Sequence, residues 1–360
     1  MNVEHYSDSP AARRELFQFY REAYPDSPWL LDPDRFEWQA CRNPLLEKDS
    51  TEIWLLKDGD RITGQNIYLP YELSIGGTAR RGFCSTNLIV RPEYVGKGIG
   101  HKLIALNEER PGIPFAVGIT KASERAFLKR SWVLVTDTRL YTRVLRPHRY
   151  VKFLRLQGLR RPAGWFALVA AKAIGHVRAS LNTVGNPLSL ETEPIRQFES
   201  SDDGLWNSFL QSYAIHFRRQ AEMLNYKYFS RPDVDHTAVV FKIGSKKVGY
   251  VVYRLSRHPL TGLLLGRIVD VVYDPNIGKP LARAMIQHAT QYFRSQQVDG
   301  IVGMGSNNEL AAAMRESGFI LSRPQHAIIK ETEFSISDLR ARFEALWYIT
   351  LGDSDLDNYW

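Results

Sequence analysis

The chain has 360 residues, enough for two average domains, and its 44% hydrophobic and 24% charged residues are ordinary for a folded protein. This composition excludes a disordered chain, a fibrous repeat and a small disulfide-rich protein. The formal net charge of +8 favours anionic partners, although it is spread unevenly along the chain.

Neither a metal site nor an export signal is visible in the sequence. The two cysteines, Cys41 and Cys84, lie far apart and no histidines have metal-ligand spacing, which favours a reducing compartment and no bound metal. The first residues lack a basic segment followed by an apolar one. The longest uncharged apolar stretch, residues 163–171, is too short to cross a bilayer. We expect a cytoplasmic protein.

The first hundred residues alternate helical and strand patterns. Residues 10–24 are predicted to form a helix with Leu16, Phe17, Tyr20 and Tyr24 on one face, and a second short helix contains Phe36 and Trp38. A hairpin signal follows, with strands at 53–56 and 62–68 around the turn 57–60. A further strand pair is predicted near 73–75 and 83–90.

The most informative stretch follows this last strand. Pro92 ends the apolar run, Gly96, Gly98 and Gly100 come next, and helical spacing then continues to about residue 108. Glycines allow a tight turn and a close approach of the backbone to a ligand, and a helix N-terminus favours phosphate. We interpret the stretch as a pyrophosphate cradle; a plain structural turn is the alternative. A dinucleotide-binding loop fits poorly, because no βαβ unit precedes it.

This stretch resembles the acyl-CoA loop of GNAT-type N-acetyltransferases, whose fingerprint is Arg/Gln-x-x-Gly-x-Gly/Ala. Gly98 and Gly100 match the fingerprint, whereas Val95 stands at the Arg/Gln position. The strand at 115–120, the helix at 123–130 and the strands at 133–135 and 140–144 continue the element order of that family. The resemblance implies an α/β (α+β) fold with a mixed, mostly antiparallel sheet flanked by helices.

The resemblance also implies the cofactor and its binding residues. Acetyl-CoA or another acyl-CoA would be the co-substrate, and an amine would attack the thioester directly. Backbone groups of the strand would pair with the pantetheine, and backbone N–H groups of the loop would hold the pyrophosphate. The implied cofactor-binding residues are Leu88, Ile89, Val90, Val95, Gly96, Lys97, Gly98, Ile99, Gly100 and His101.

A second copy of the pattern follows about 185 residues later. The hairpin at 238–253, the strand at 268–275 and the strand at 301–303 keep the order of their counterparts in the first half. The second loop reads Asn276-Ile-Gly-Lys-Pro280, and Pro280, which stands where Gly98 stands, removes an N–H group. We expect this copy to bind acyl-CoA poorly and to shape the substrate cleft.

These observations predict four segments. Residues 1–146 form a GNAT-like acyl-CoA-binding domain, and residues 147–190 form a basic linker with an amphipathic helix. Residues 191–335 form a second, degenerate GNAT-like domain, and residues 336–360 form a C-terminal helix with an acidic, aromatic tail. Asp353 and Asp357 in that tail resemble the start of a calcium loop but lack its Gly and Glu, so we expect a solvated acidic tail. The flanking aromatic residues Trp347, Tyr348, Tyr359 and Trp360 indicate that the tail docks.

No catalytic side chain can be assigned from the sequence. Members of the family often carry a carboxylate where this chain has Asn87, and a tyrosine where it has Phe127. Asp270 occupies the place of Asn87 in the second copy, and Tyr141 lies on a nearby strand. Asn87, Tyr141 and Asp270 are therefore weak candidates, and proximity alone can supply much of the rate enhancement.

The positive charge is concentrated between the two copies. No acidic residue occurs between Asp137 and Glu191. Trp165, Phe166 and Leu168 are typical of an interfacial helix, which indicates peripheral contact with an anionic membrane through residues 139–178; a solvated linker is the alternative. No nucleic-acid motif accompanies the charge, so no nucleic-acid partner is expected. The ten basic residues are Arg139, Arg143, Arg146, Arg149, Lys152, Arg155, Arg160, Arg161, Lys172 and Arg178.

The leading hypothesis is an acyl-CoA-dependent N-acyltransferase. The two-domain layout and the ending of the chain resemble GNAT-like proteins of surface-polysaccharide synthesis, which suggests an amino sugar as the acceptor. A non-catalytic acyl-CoA-binding or regulatory module, and a protein that works at a membrane surface, are the alternatives. The oligomeric state is not determined by the sequence.

Overall fold

The computed structural model describes residues 1–25, 27–48, 50–150, 152, 161–181, 188–353 and 357. The helices are α1 (Pro10–Ala23), α2 (Pro33–Cys41), α3 (Ile99–Glu108), α4 (Lys121–Leu128), α5 (Arg161–Leu181), α6 (Asp203–Ser208), α7 (Ala221–Tyr228), α8 (Lys279–Ser295), α9 (Asn308–Glu316) and α10 (Ile336–Arg342). The strands are β1 (Asn2–His5), β2 (Ile53–Asp58), β3 (Arg61–Ile75), β4 (Thr78–Val90), β5 (Ile113–Val117), β6 (Val133–Val144), β7 (Glu191–Ile195), β8 (Tyr213–Phe217), β9 (Thr237–Ile243), β10 (Lys246–Arg257), β11 (Leu264–Tyr273), β12 (Gly300–Gly305), β13 (Ile320–Ile329) and β14 (Ala345–Tyr348).

Helix α1 begins where the capping residue and the proline in its sequence predict. The Ser9 side chain accepts a hydrogen bond from the Ala12 N–H, and a proline opens the helix, so α1 begins where its cap and first residue require. Its buried face is Leu16, Phe19 and Tyr20. The prediction that Tyr24 shares this face is wrong, because Tyr24 follows the helix and is exposed.

Two predicted strand breaks are absent. The patterns at 62–68 and 73–75 form one long strand, β3, and those at 133–135 and 140–144 form one long strand, β6. Both strands have neighbours on both sides, β2 and β4 for β3 and β12 and β13 for β6. Across the predicted breaks, residues 69–72 of β3 are paired with β4 and residues 136–138 of β6 with β13, and this pairing carries each strand through positions whose side chains alone favour a turn.

One sheet runs through the whole molecule in the order β1-β2-β3-β4-β5-β13-β6-β12-β11-β10-β9-β7. At the centre of this sheet, each half of the chain contributes a strand that pairs with strands of the other half. Strand β13, from the second half, pairs with β5, with Ile328 opposite Ala116, and also with β6. Strand β6, from the first half, pairs with β12, with Leu140 opposite Met304. The predicted domain boundaries near 146 and 191 stay a prediction, because backbone pairing joins the two halves into one sheet.

The order of elements repeats on either side of this centre. In the first half β2, β3 and β4 are antiparallel, α3 follows, and β5 returns parallel to β4. In the second half β9, β10 and β11 are antiparallel, α8 follows, and β12 returns parallel to β11. The architecture therefore consists of two GNAT-like units with mixed, mostly antiparallel strands flanked by helices, as predicted.

A short strand pair closes the contact between the halves. Strand β8 pairs with β3 on one edge and with β14 on the other. The Trp347 ring, on β14, packs 5.9 Å from the Phe115 ring and 6.0 Å from the Phe217 ring. Aromatic side chains from both halves therefore share one core.

Helix α5 packs on this centre through small residues. Gly164, Ala171 and Gly175 face inward, and a Cβ atom at Gly175 would lie 2.5 Å from the Gly318 carbonyl oxygen. This close approach is possible only because the helix has no side chain there. No helix in the described part of the chain is long and apolar enough to span a bilayer.

We expect Gly175→Ala to destabilise the fold by about 1–3 kcal/mol, because the added methyl group overlaps backbone that cannot rotate away. Gly204→Ala is the matched control, since Gly204 lies in helix α6 with nothing within 4 Å of a built Cβ atom. That control should be neutral or stabilising by up to about 1 kcal/mol. Urea unfolding of both variants measures the difference, and equal effects would contradict the packing described here.

Candidate functional site

Strands β4 and β5 form a wedge-shaped gap. They pair only through residues 82–84 and 113–115, whereas β4 continues to Val90. Beyond Cys84 the edge of β4 that faces β5 no longer takes part in this pairing. Main-chain groups on that edge are therefore placed to bond an extended ligand, as a neighbouring strand would.

A β-bulge bends β4 at the start of this gap. Ile67 faces Thr86 and Gln65 faces Ile89, so that Asn87 and Leu88 together stand opposite one residue of β3. Asn87 has φ of +49°, a left-handed conformation that asparagine tolerates better than most residues. The Gln65 side-chain amide donates to the Asn87 carbonyl oxygen at 3.2 Å. The bulge is thus fixed from β3, and it redirects the strand that leads into the glycine-rich loop.

A buried arginine anchors the base of the loop. Arg91 donates from Nη1 to Glu22 of α1 at 2.6 Å and from Nε to the Ile62 carbonyl oxygen of β3 at 2.5 Å. Its guanidinium also lies 5.2 Å from the centre of the Phe19 ring. The loop therefore begins from a fixed point on α1 and β3.

The loop itself exposes unpaired backbone N–H groups. Gly96 and Gly98 have φ of +85° and +82°, which side chains other than that of glycine disfavour, and Gly98 is the N-cap of α3. The amides of Gly98, Ile99, Gly100 and His101 have no hydrogen-bond acceptor among the described residues. These groups form the positive end of a helix and remain available to an anion.

The space in front of these amides is open. A Cβ atom built at Gly96, Gly98 or Gly100 meets nothing within 4 Å. Val95, at the Arg/Gln position of the fingerprint, is 68% exposed, and Lys97 lies 4.7 Å above the Tyr94 ring. The predicted cradle is therefore an accessible, cationic surface, although its role as a cofactor site stays a prediction.

The second loop, residues 276–280, uses its amides in bonds within the chain. The Asn276 amide donates to the Asp274 carboxylate at 3.0 Å, and the Gly278 amide donates to the Asp274 carbonyl oxygen at 3.0 Å. A Cβ atom at Gly278 would lie 3.1 Å from the Glu309 carboxylate, and Pro280 has no N–H. Internal bonds and carboxylates thus occupy the space in which an anionic ligand would bind.

Comparison with known proteins agrees with this geometry. Residues 10–129 match the family model described as Acetyltransferase (GNAT) domain. Residues 10–129 are therefore similar to a GNAT acetyltransferase domain. No curated protein matches the chain.

Three solved structures resemble the chain over 91% of its length. The fold is similar to that of a GCN5-related N-acetyltransferase from Anabaena variabilis, with 13% identity, 72% of that chain covered and a TM-score of 0.57. It is also similar to a probable N-acyltransferase from Enterococcus faecalis, with 13% identity, 71% covered and a TM-score of 0.54. Saccharomyces cerevisiae N-myristoyltransferase with bound myristoyl-CoA has 11% identity, 82% covered and a TM-score of 0.59. At such identities the likeness shows the shared fold.

The weak catalytic candidates lie in different environments around the GNAT domain. Asn87 is half-buried in the bulge. Tyr141 is 1% exposed in the hydrophobic core, and its hydroxyl accepts a long hydrogen bond of 3.4 Å from Arg315. Phe127, which the resemblance identified as a departure, packs 4.5 Å from the Trp132 ring. Asn87 lies on β4 at the start of the gap, and Phe127 packs in one cluster with Ala116 of β5 and Leu88 of β4.

Asp270 is held in a saturated network. Its oxygens accept hydrogen bonds from the Tyr228 and Tyr250 hydroxyls at 2.9 and 3.0 Å, and from the Thr350 hydroxyl at 3.0 Å. Arg219 forms an ion pair with it at 3.2 Å. Desolvation and the Asp270 charge raise the pKa of both tyrosines well above the usual value, so that they remain donors. These bonds favour a structural role for Asp270.

The C-terminal acids are buried, so the expectation of a solvated acidic tail is wrong. Asp353 is fully buried and accepts from Arg219 at 2.8 Å, and Lys227 lies 3.7 Å away. Asp357 accepts from Arg254 at 2.9 Å and from Arg267 at 3.1 Å. Residues 354–356 and 358–360 lie outside the described part of the chain.

The cationic side chains around Asp353 and Asp357 determine the protonation state of these two acids. Desolvation by itself would raise the pKa of Asp357, but Arg254, His236 and Arg267 outweigh it and hold that pKa well below the usual value. Arg219 and Lys227 likewise outweigh desolvation and lower the pKa of Asp353. Both acids therefore remain ionised, and each ties the tail to α7 or to the second half of the sheet.

A cavity separates α2 and β3 of the GNAT domain from α7 and the tail. Its volume is about 30 Å³, room for one or two water molecules, and its walls include Trp38, Tyr71, Tyr226, Lys227 and Asp357. The Trp38 and Tyr226 rings stack at 5.0 Å. Desolvation lowers the pKa of Lys227, and the nearby Asp353 offsets only part of that effect.

Sequence reasoning missed this cavity. Its walls come from segments nearly 200 residues apart, as in the hydrogen bond from the Trp38 indole to the Tyr226 carbonyl oxygen at 3.0 Å. Neither Trp38 nor Lys227 belongs to a motif of fixed spacing, so the only signal was the expectation that the second copy shapes the substrate cleft.

We expect Gly100→Asp to weaken acyl-CoA binding by about tenfold or more, because a carboxylate would stand before the open amides and repel a phosphate. An acidic residue in the first turn of a helix favours folding, so the unfolding free energy should be unchanged or higher. Isothermal titration with CoA and urea unfolding measure the two effects.

Gly100→Ala is the matched control for this variant. It adds a methyl group in the same open space without a charge and should bind CoA as the wild type does. Pro280→Gly in the second loop should also leave CoA binding unchanged, since the amides there are already bonded to Asp274. Equal loss in Gly100→Ala and Gly100→Asp would contradict the electrostatic explanation.

His216 makes the fold sensitive to acid. It is 3% exposed on β8, and desolvation lowers its pKa to about 4 from the usual 6.5. Protons therefore bind the unfolded chain preferentially below about pH 6.5, and the stability that the neutral imidazole contributes is lost as the pH falls toward 4.

We expect His216→Asn to remove this part of the acid sensitivity. The asparagine amide can replace the ring Nδ1, which lies 3.2 Å from the Phe217 carbonyl oxygen. Between about pH 7 and about pH 5 the variant should lose about 2 kcal/mol less unfolding free energy than the wild type. Urea unfolding at both pH values tests this, and parallel losses in the two proteins would contradict it.

Proposed function

We propose that the protein is an acyl-CoA-dependent N-acyltransferase, with acetyl-CoA as the expected donor. The observation that carries the proposal is the set of four open amides at the N-terminus of α3, from Gly98 to His101, directly after the wedge between β4 and β5. A diphosphate fits the first feature, and an extended pantetheine arm fits the second. The similar fold of an N-myristoyltransferase with bound myristoyl-CoA supports an acyl-CoA ligand in such a scaffold.

The proposed reaction is direct transfer in a ternary complex. The amine nitrogen attacks the thioester carbonyl carbon, a C–N bond forms, and the C–S bond breaks. The proton that the amine loses neutralises the thiolate, so the products are an amide and free CoA. Backbone N–H groups of β4 beyond Cys84 would stabilise the oxyanion, and holding the two substrates together supplies the rest.

We further propose that the acceptor amine enters from the cavity between α2 and α7. Aromatic rings of Trp38, Tyr71 and Tyr226 line it, together with the polar side chains of Gln39 and Asn43. Aromatic and hydrogen-bonding groups together suit a sugar ring, and the cavity of about 30 Å³ would have to widen to admit one. An amino sugar of a surface polysaccharide is therefore the acceptor we test first.

The experiment compares thiol release from acetyl-CoA in the presence of amines of different classes, including amino sugars, amino acids and polyamines. An N-acyltransferase should release free thiol only with a suitable amine, and mass spectrometry should detect one acylated amine per thiol. At donor concentrations well below saturation, Gly100→Asp should lower both signals by about tenfold or more, whereas Gly100→Ala should retain them.

The main alternative, a non-catalytic acyl-CoA-binding module, gives a different outcome. It would bind CoA by titration calorimetry, with the same loss in Gly100→Asp, but release no thiol with any amine. If the wild type does not bind CoA, the enzyme and the non-catalytic module are both wrong as interpretations of the loop.

A further inference from the structure

The outer face of helix α5 is apolar and exposed. Five of the thirteen large hydrophobic residues that are exposed in the described chain lie on this one helix. Phe166 is 72% exposed and Val177 is 54% exposed. Scattered single residues of this kind are common on surfaces, but a cluster on one helix marks an interaction site. The five residues are Trp165, Phe166, Val169, Ile174 and Val177.

The spacing of these residues places most of them away from the sheet. At 100° per residue, Gly164, Leu168, Ala171 and Gly175 form the inward stripe that packs beside Gly318. The opposite direction is occupied by Phe166, Val169, Ala170, Ala173 and Val177. A surface helix of a globular protein normally turns such residues toward the core. Here small residues pack inward and the larger apolar residues face outward.

Positive charge borders this apolar face. Lys172 and Arg178 are exposed and lie on opposite flanks of the helix. No acidic residue occurs in the chain from 138 to 190. On the neighbouring helix α9, Glu316 is already paired with Lys279 at 2.7 Å and with Arg283 at 3.4 Å.

We propose that α5 docks the protein on the surface of an anionic lipid bilayer. The apolar face enters the headgroup boundary, while Lys172 and Arg178 remain at the level of the lipid phosphates. Arg155, Arg160 and Arg161 belong to the same basic block of the sequence, but their side chains lie outside the described part of the structure. The described residues alone supply the apolar area and the flanking charges that an interfacial helix needs.

The positive charge of α5 favours a lipid bilayer, rather than a second copy of the chain, as the partner of its apolar face. A symmetric contact between two α5 helices would bring the basic flanks of both copies together without an acidic partner on either helix. An anionic bilayer supplies the complementary charge as well as the apolar environment.

The test is co-sedimentation of the full-length protein with phosphatidylcholine vesicles and with vesicles that also contain phosphatidylglycerol. The wild type should bind the anionic vesicles and bind less as salt is raised. Lys172→Gln and Arg178→Gln should each lower the partition coefficient by about fivefold. A triple variant, Phe166→Gln, Val169→Gln and Val177→Gln, should lower it by about tenfold or more.

Val3→Gln is the matched control, because Val3 is 48% exposed on the edge strand β1, whereas α5 packs against β6 at the centre of the sheet. It should bind vesicles as the wild type does. Urea unfolding of every variant checks that the fold is intact, since all the changed side chains are exposed. Failure of the wild type to bind either vesicle, or equal binding by the triple variant, overturns the proposal. A dimer in sedimentation equilibrium that the triple variant abolishes, without vesicle binding, would assign the face to a second copy and overturn the lipid assignment.

Discussion

The insertion of β13 between β5 and β6 is the pairing on which the rest of the structure depends. Ile328 faces Ala116 on one side, and Leu321 faces Tyr141 on the other, so neither half completes its sheet without the other. Backbone groups on both edges of the exchanged strand must find partners when buried, and these partners come from the first half of the chain. The exchange also sets the position of β5 in the wedge beside β4 and the surface on which α5 packs.

The turn before α3 and the turn before α8 differ in one physical property. The backbone N–H groups of the first are open to a ligand, and those of the second are not. Both follow a strand that separates from its parallel neighbour, and both precede a helix. The first loop uses left-handed Gly96 and Gly98 to turn without consuming the amides at the start of α3. The second bonds its amides to Asp274 and places Glu309 beside Gly278. The first loop thus leaves its amides open to an anion, whereas the second does not.

The C-terminal segment is part of the folded core rather than an appendage. Asp353 and Asp357 are ionised and buried, which is tolerated only because several cations surround each of them. Removing one partner would leave an uncompensated buried charge, so these ion pairs specify where the tail lies. The same segment forms one wall of the cavity that we assign to the acceptor.

The sequence by itself determined the local features of this protein. Turn glycines, Pro92 and helical spacing depend only on neighbouring residues, so the loop before α3 and the repeated order of strands and helices could be predicted from the pattern. The tertiary structure alone decided the strand exchange, the partners of Asp270, Asp353 and Asp357, and the cavity behind Trp38. These features depend on contacts between distant segments of the chain, such as Arg219 with Asp353, which are 134 positions apart, and no local spacing encodes them.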